Sequence, residues 1–210
     1  MRADADHTLG IILAGGAGAR VGGADKGLLP LCGKPLIEHV LERLRPQCDR
    51  LLIVANRNLD DYARYAPVIH DENRGHAGPL AALVAAFGFL LANRHAQVRW
   101  MLTAPVDCPD PPCDFAARLH SALANDETAR CACVRRAGRR QPLFALYHLD
   151  GEAEPWRASA QRALREHGSP MRWLGEIGAI GVDFDEANAA FHNLNAPADF
   201  LDYQSAHDDT

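Results

Sequence analysis

Short apolar runs alternate along the first half of the chain with segments whose apolar residues recur at helical spacing. The runs Leu9–Leu13 and Leu51–Ala55 are continuous, which predicts strands buried on both faces. Between them, the apolar residues from Leu36 to Leu44 fall on one helical face, and the segment from Leu80 to about Asn93 is apolar on nearly every side. Two further strands are predicted at 68–69 and 98–103. This alternation predicts an α/β fold with a mostly parallel sheet and helices on both faces.

The second half of the chain predicts an antiparallel element. Ala129–Val134 and Leu143–Tyr147 have strand character, and the short basic turn Arg135–Arg140 between them favours a hairpin over a crossover. The four arginines of this turn could bind a phosphorylated substrate or simply be solvated. A helix is predicted at 152–167 and a weak strand at 180–184.

Length and charge restrict the class of protein. At 210 residues, with 48% apolar and 23% charged residues, the chain suits one domain with a substantial core, which we expect at 9–205. Positions 1–8 are polar and predict a disordered leader. The net charge of −5 argues against a nucleic-acid partner. No apolar run approaches the ~20 residues that span a bilayer, so no membrane partner is expected.

The cysteines and histidines predict no metal site of their own. The six cysteines form no C-x-x-C pair, and the ten histidines show no H-x-x-x-H or H-E-x-x-H spacing. We interpret the cysteines as reduced thiols, several of them buried, in a cytoplasmic protein.

The most informative stretch is the glycine-rich loop after the first strand, Leu13–Lys26. Dense glycines let a ligand approach the backbone N–H groups, and Arg20 and Lys26 add two cations, a combination that suits a polyphosphate. A flexible surface loop is the plainer alternative. The dinucleotide fingerprint is excluded because Val21 stands where its third glycine belongs, and the P-loop because Gly33-Lys34 is followed by Pro35.

Other predicted strand ends bring polar residues to the same place. Asn56, Asp71 and Asp107 each follow an apolar strand, and ligands of parallel sheets bind beyond the carboxyl ends of the strands. Two cations and two carboxylates in one crevice fit a polyphosphate with a divalent cation. Asp107, on a loop stiffened by prolines, is the best metal candidate, although it could cap a helix near Pro112. Asp71 could instead form a turn.

The loop motif is also specific enough to suggest a family. L-A-G-G-x-x-x-R-x-G-G-x-D-K-G-L, over Leu13–Leu28, resembles the signature of the molybdenum cofactor guanylyltransferases of the MobA type. Gly78–Ala81 resembles that family's G-P-L-x segment, Pro105–Pro109 its P-x-D-x-P segment, and Phe191–Phe200 its terminal N-x-N-T-P-E-D-L. The resemblance runs from Leu9 to about Leu201, with the blocks in the family's order.

The resemblance implies a three-layer, Rossmann-like nucleotidyltransferase fold and a reaction. GMP would pass from GTP to molybdenum-bound molybdopterin, giving the guanine dinucleotide form of the cofactor and pyrophosphate. Arg20 and Lys26 would stabilise the triphosphate, and Asp107 would hold Mg²⁺; these three are the catalytic candidates. The N-terminal part would bind GTP and the C-terminal part molybdopterin. Transient contacts with proteins that supply molybdopterin, or with recipient molybdoenzymes, would follow.

The resemblance also implies the binding residues. The candidates on the nucleotide side are Leu13, Ala14, Gly15, Gly16, Lys26, Val54, Asn56, Asp71, Gly78, Pro79 and Asp107, and those on the pterin side are Asn193 and Asn195. Val54 replaces an asparagine that contacts the nucleotide in the family, so its backbone or a neighbour such as Asn56 would make that contact. Gln141-Pro142-Leu143 departs from a His-Pro-Thr-like segment. Asn193 and Asn195 could instead form a turn before the last helix.

Two other functions stay open at this point. A related nucleotidyltransferase could use CTP, or act on a sugar phosphate, although Leu-Ala-Gly-Gly in place of Leu-Ala-Ala-Gly resembles the guanine-specific members. A non-catalytic molybdopterin carrier is a different class, against which Arg20, Lys26 and Asp107 argue.

Overall fold

The strands and helices follow the predicted alternation. The computed structural model describes residues 7–15, 24–70, 78–92, 97–185 and 191–207. Its strands are β1 Thr8–Leu13, β2 Pro30–Leu31, β3 Lys34–Pro35, β4 Arg50–Ala55, β5 Val68–His70, β6 Trp100–Pro105, β7 Cys131–Arg136, β8 Arg139–His148 and β9 Ile180–Asp183. Its helices are α1 Leu36–Leu44, α2 Leu59–Tyr62, α3 Pro79–Ala92, α4 Phe115–Ala124, α5 Glu154–Glu166, α6 Pro170–Glu176 and α7 Pro197–His207.

Within the described residues, seven strands form one mixed sheet in the order β5-β4-β1-β6-β8-β7-β9. The strands β5, β4, β1 and β6 are parallel, whereas β8 runs antiparallel to both of its neighbours, β6 and β7. The last strand, β9, is parallel to β7. The predicted α/β class, with an antiparallel element in the second half, is therefore confirmed.

Helices cover both faces of the sheet and make it the middle of three layers. On one face, α3, α5 and α6 pack around a buried aromatic group that includes Phe87, Tyr147 and Trp173. On the other face, α1, α2 and α4 pack around Phe115 and Phe144. The strands are buried on both sides, which explains their continuous apolar sequences. No helix in the described ranges is long and apolar enough to cross a membrane.

The structure differs from the predicted elements in four places. β1 begins at Thr8, which is buried, so Thr8 belongs to the strand and not to the leader; positions 1–6 lie outside the described residues. Pro35 suits the first position of a helix and is expected there from the sequence, but it ends β3, and α1 begins at Leu36. β8 begins at Arg139 rather than at Leu143, because the hairpin continues its pairing past the apolar core. The short helix α6 was not predicted.

Candidate active site at the carboxyl edge of the sheet

Three adjacent parallel strands bring the predicted site residues to one edge. In the register of β1, Leu13 pairs with Val54 of β4 on one side and with Pro105 of β6 on the other. The pairing continues just beyond the strands, where Ala14 N–H donates to Val54 O (2.8 Å) and Val106 N–H donates to Leu13 O (3.0 Å). The residues that follow, Gly15, Asn56 and Asp107, therefore leave the sheet side by side.

The centre of this edge is a cluster of three side chains from distant parts of the chain. Lys26 Nζ lies 3.2 Å from Asp107 Oδ2 and donates a hydrogen bond to Asn195 Oδ1 at 2.8 Å. The side chains of Lys26 and Asp107 are 17% and 20% exposed, so both keep access to solvent and to a ligand. The structure thus brings together Lys26, Asp107 and Asn195, which are all site residues predicted from the sequence.

The segment before α7 is fastened to the Asp107 loop. Leu194 N–H donates to Asp107 O (2.7 Å), and the buried Phe191 ring packs edge-on against Phe144, 4.8 Å between centroids. The backbone N–H groups of Ala196 and Asn195 donate to the Asp199 carboxylate, and these two bonds lower the pKa of Asp199. These bonds hold Asn195 in place beside Lys26.

Asp107 does not cap the following helix. The residue at the N-cap position of α4 is Asp114, and it makes no capping bond with its side chain. Asp107 instead directs its carboxylate towards Lys26, and its carbonyl binds the segment before α7. The capping alternative for Asp107 is therefore wrong.

Asp25 also lies at this edge, and its structural role was not predicted from the sequence. Its side chain is only 5% exposed and lies 3.4 Å from Arg57 Nε. It accepts hydrogen bonds from Tyr62 Oη and from Asn58 Nδ2 (3.1 Å), and burial followed by this bond to Asp25 raises the pKa of Tyr62. Arg57 also donates to Ala24 O at 2.8 Å. These bonds fix the chain immediately before Lys26. Asp25 is part of the glycine-rich motif, but its partners Asn58 and Tyr62 come from the segment after β4.

Gly27 fits a space that no side chain could share. A Cβ at this position would lie 2.3 Å from Tyr62 Oη and 2.9 Å from Val106 Cγ2. The Gly after Lys26 therefore lets the turn pack directly onto α2 and the Asp107 loop. This close approach sets where the Lys26 side chain leaves the backbone.

Asn56 lies against the start of the glycine-rich loop with an unused acceptor. A Cβ on Gly15 would come within 3.1 Å of Asn56 Nδ2, and Asn56 Oδ1 is buried without a hydrogen-bond partner among the described residues. Val54, by contrast, has its side chain fully buried in the core and its carbonyl bonded to Ala14. Of the two alternatives for the missing family asparagine, Asn56 has the free polar side-chain atom.

The remaining predicted site residues lie around the cluster of Lys26, Asp107 and Asn195 or outside the described ranges. Leu13 and Ala14 are buried at the end of β1, and Gly78 and Pro79 stand at the start of α3. Asn193 Oδ1 is buried and has no hydrogen-bond partner in the part of the chain that the structure describes. Gly16, Arg20 and Asp71 lie outside the described residues, so their proposed contacts stay predictions.

Comparison with known proteins identifies the family. Residues 10–176 match the model of the MobA-like NTP transferase domain. The chain belongs to this family. A molybdenum cofactor guanylyltransferase of Shewanella loihica is 34% identical over 190 residues, which cover 89% of this chain and 90% of that protein. A protein of the same name from Yersinia pseudotuberculosis is 38% identical over 191 residues, covering 90% and 91%. The family resemblance proposed from the sequence is confirmed.

Solved structures of the same fold include members that act on other nucleotides. Molybdopterin-guanine dinucleotide biosynthesis protein A from Archaeoglobus fulgidus has a TM-score of 0.75 at 23% identity, covering 96% of this chain and all of that one. A CMP:2-keto-3-deoxy-manno-octonic acid synthetase complexed with CTP has a TM-score of 0.67 at 13% identity, covering 96% and 98%. These likenesses establish the fold. They leave the choice of base to the residues of the site.

Proposed function

We propose that this protein transfers GMP from GTP to molybdenum-bound molybdopterin, forming the guanine dinucleotide cofactor and releasing pyrophosphate. The main structural support is the cluster of Lys26, Asp107 and Asn195 at the carboxyl edge of the sheet. The relatives of this chain are named molybdenum cofactor guanylyltransferases. A cation and a carboxylate that remain accessible beside a glycine-rich loop suit the handling of a triphosphate.

The chain supplies positioning and charge, and no covalent nucleophile is needed. A phosphate oxygen of the pterin substrate forms a bond to the α-phosphorus of GTP while the bond from that phosphorus to the bridging oxygen of pyrophosphate breaks. Lys26 neutralises the charge that develops on the phosphate oxygens, and Asn195 Oδ1, 2.8 Å away, holds the ammonium group in place. Arg20 is proposed to add a second cation.

Asp107 is the residue that would hold a divalent cation. Among the described residues no three His, Cys, Asp or Glu side chains gather as a metal site. A single carboxylate nevertheless fits Mg²⁺, which is commonly held by one or two carboxylates together with substrate phosphates and water. When bound, the cation would supply charge neutralisation at those phosphates. Lys26 Nζ lies 3.2 Å from one carboxylate oxygen of Asp107, Oδ2.

Asn56 is the residue proposed to recognise the base. Its buried, unpartnered Oδ1 can accept an N–H from the Watson–Crick edge of guanine, the role that Val54 has no side-chain atom to fill. Leaving such an acceptor unsatisfied is costly, which favours a base that brings a donor. Asn193, with a similarly unpartnered oxygen, is proposed with Asn195 to face the pterin.

Pyrophosphate release with a panel of nucleotides tests the proposal. The purified protein, molybdenum-loaded molybdopterin and Mg²⁺ are incubated with GTP, CTP, ATP or UTP, with and without the pterin. We expect release with GTP that depends on both the pterin and Mg²⁺. Release with CTP in place of GTP would make the protein a cytidylyltransferase, and pterin binding with no release would make it a carrier.

Reduced thiols and the nature of the substrates suit a cytoplasmic enzyme.

A further inference from the structure

A basic hairpin stands beside the loop that carries Asp107. β7 and β8 are joined by Ala137 and Gly138, whose φ angles are 46° and 70°. Positive φ at both positions is what a two-residue type I′ hairpin turn requires. Arginines occupy the last two positions of β7 and the first two of β8, namely 135, 136, 139 and 140.

The sheet register sets the height of this hairpin relative to the site. Thr103 of β6 pairs with Ala145 of β8, which pairs with Cys133 of β7. Thr103 Oγ1 also donates to Leu143 O at 2.9 Å and fastens the irregular stretch of β8. Two positions further along β7, Arg135 pairs with Arg140. Counted from the row of Thr103, Ala145 and Cys133, the two arginine pairs are level with positions 105 and 106, at the end of β6 and just before Asp107.

The hairpin is anchored by one of its arginines and by its turn. The Arg135 guanidinium forms a two-point ion pair with the Asp183 carboxylate of β9, with Nε to Oδ1 at 2.5 Å. Ala137 N–H donates to Asp185 Oδ1 at 2.7 Å. Arg135 is therefore occupied with holding the hairpin against β9.

Two other arginines are left with their charge uncompensated. Arg139 is exposed and Arg140 is half-buried, and the described residues give neither guanidinium an ion-pair or hydrogen-bond partner. Arg140 interacts electrostatically with the buried thiols of Cys131 and Cys133, for which burial raises the pKa. Neutral thiols do not balance the charge of Arg140. Because Arg139 and Arg140 are successive strand residues, their side chains leave the hairpin on opposite faces and flank its end. Two cations placed there are suited to an anionic ligand.

We propose that Arg139 and Arg140 bind the terminal phosphate of the pterin substrate. This rests on the proposed function, since it names the part of the site that receives the second substrate. In the sheet order, β6 separates the hairpin from β1 and β4, whose loops carry the nucleotide-side candidates. Asp107 therefore lies between the two sides. A phosphate monoester held at the end of the hairpin, with a guanidinium group on either side, would approach the α-phosphorus from the side opposite the glycine-rich loop.

Equilibrium binding of molybdopterin, followed by pterin fluorescence under anaerobic conditions, is the test. The variant carries Arg139→Gln and Arg140→Gln. The matched control carries Arg50→Gln and Arg99→Gln, which remove the same charge from the opposite edge, at and just before the starts of β4 and β6. We expect the hairpin variant to bind molybdopterin about tenfold to a hundredfold more weakly, since charge-assisted hydrogen bonds are lost. GTP affinity, and both affinities of the control, should be unchanged.

Further arms separate the possible failures. Arg139→Lys with Arg140→Lys should restore part of the pterin affinity, because charge is kept while the planar fork is lost. Unchanged pterin affinity in the Gln variant overturns the inference, as does an equal loss in the control. A loss of GTP affinity with pterin binding intact would assign the hairpin to the triphosphate instead. Arg139→Gln alone, at an exposed position, serves if the double variant unfolds. Failure of the proposed function shows separately, as wild-type protein that binds pterin without releasing pyrophosphate.

Discussion

Lys26 Nζ donates a hydrogen bond to Asn195 Oδ1 across 2.8 Å, although the two residues are 169 positions apart. This bond joins the end of the glycine-rich loop to the segment before the last helix. It explains how the first and last motif blocks of the sequence can serve one reaction. It also orients an ammonium group that has Asp107 as its other neighbour at 3.2 Å.

Removing the Lys26 charge should reduce turnover strongly. We expect Lys26→Met to lower kcat by about 10²- to 10³-fold, as loss of a single charge-stabilising donor typically does. Asn195→Ala should have a smaller effect, and the double variant should be no worse than Lys26→Met alone, because Asn195 acts through Lys26. Lys34→Met is the control, since Lys34 pairs with Glu42 on the surface. Additive losses in the double variant would contradict the coupling of Asn195 to Lys26.

Replacing the Asp107 carboxylate should abolish the dependence on Mg²⁺. Asp107→Asn keeps the shape of the side chain but removes the charge that would hold the cation. We expect steady-state turnover to fall by at least about two orders of magnitude and raised Mg²⁺ not to recover it. Asp114→Asn, on the same connection and exposed, should behave like the wild type. Full turnover of Asp107→Asn at ordinary Mg²⁺ would show that the cation is held elsewhere.

The packing of Gly27 makes a specific stability prediction. Gly27→Ala places a Cβ 2.3 Å from Tyr62 Oη, so we expect it to lower the free energy of unfolding by about 1–3 kcal/mol, as overpacking does. Adding Tyr62→Phe should recover part of that loss, because the nearest atom is removed. Denaturant unfolding of the single and double variants gives the coupling.

Gly88→Ala is the matched control for this pair. Its added Cβ would meet Arg157 Nε at 3.6 Å, which is ordinary contact, and alanine favours the helix. This variant should be as stable as the wild type or slightly more so. A Gly27→Ala protein of wild-type stability would contradict the close packing of the turn on α2.

Thiol labelling should divide the six cysteines into two groups. Cys32 and Cys113 are exposed, whereas Cys48, Cys108, Cys131 and Cys133 are buried. Burial raises the pKa of Cys48 to about 12, which keeps that thiol protonated and unreactive at neutral pH. We expect two fast-reacting thiols in the native protein and six after denaturation. More than two fast thiols, or fewer than six after denaturation without reductant, would contradict this assignment.

His148 should make the protein less stable in acid. Its ring stacks on Trp100 with 4.2 Å between centroids, and burial, followed by the charge of Arg130, lowers the pKa of His148. The unfolded chain then binds a proton more readily than the native one, so this contribution is present above about pH 6.5 and is lost as the pH falls below it. We expect Tm to fall less in His148→Phe than in the wild type between about pH 7.5 and about pH 5.5. An equal fall in both proteins would exclude His148 as the cause.

Sequence patterns were sufficient where the structure is local or periodic. The buried strands and α1 follow from apolar spacing, and the carboxyl-edge rule correctly placed Lys26 near Asp107. Asp25 was missed because its partner Tyr62 lies 37 positions away and no local pattern marks a buried carboxylate. The arginines at 139 and 140 concealed the start of β8, since strand pairing there continues without an apolar pattern. The ion pair of Arg135 with Asp183 was equally invisible, being a contact between strands.

The most direct measurement follows the phosphates of GTP into the products. GTP labelled at the α-phosphate, and separately at the γ-phosphate, is incubated with molybdenum-loaded molybdopterin, Mg²⁺ and the protein, and the pterin product is isolated. We expect the α label in the pterin product and the γ label in pyrophosphate. The γ label in the pterin product, or no label there while the wild-type protein binds the pterin, would contradict nucleotidyl transfer by this protein.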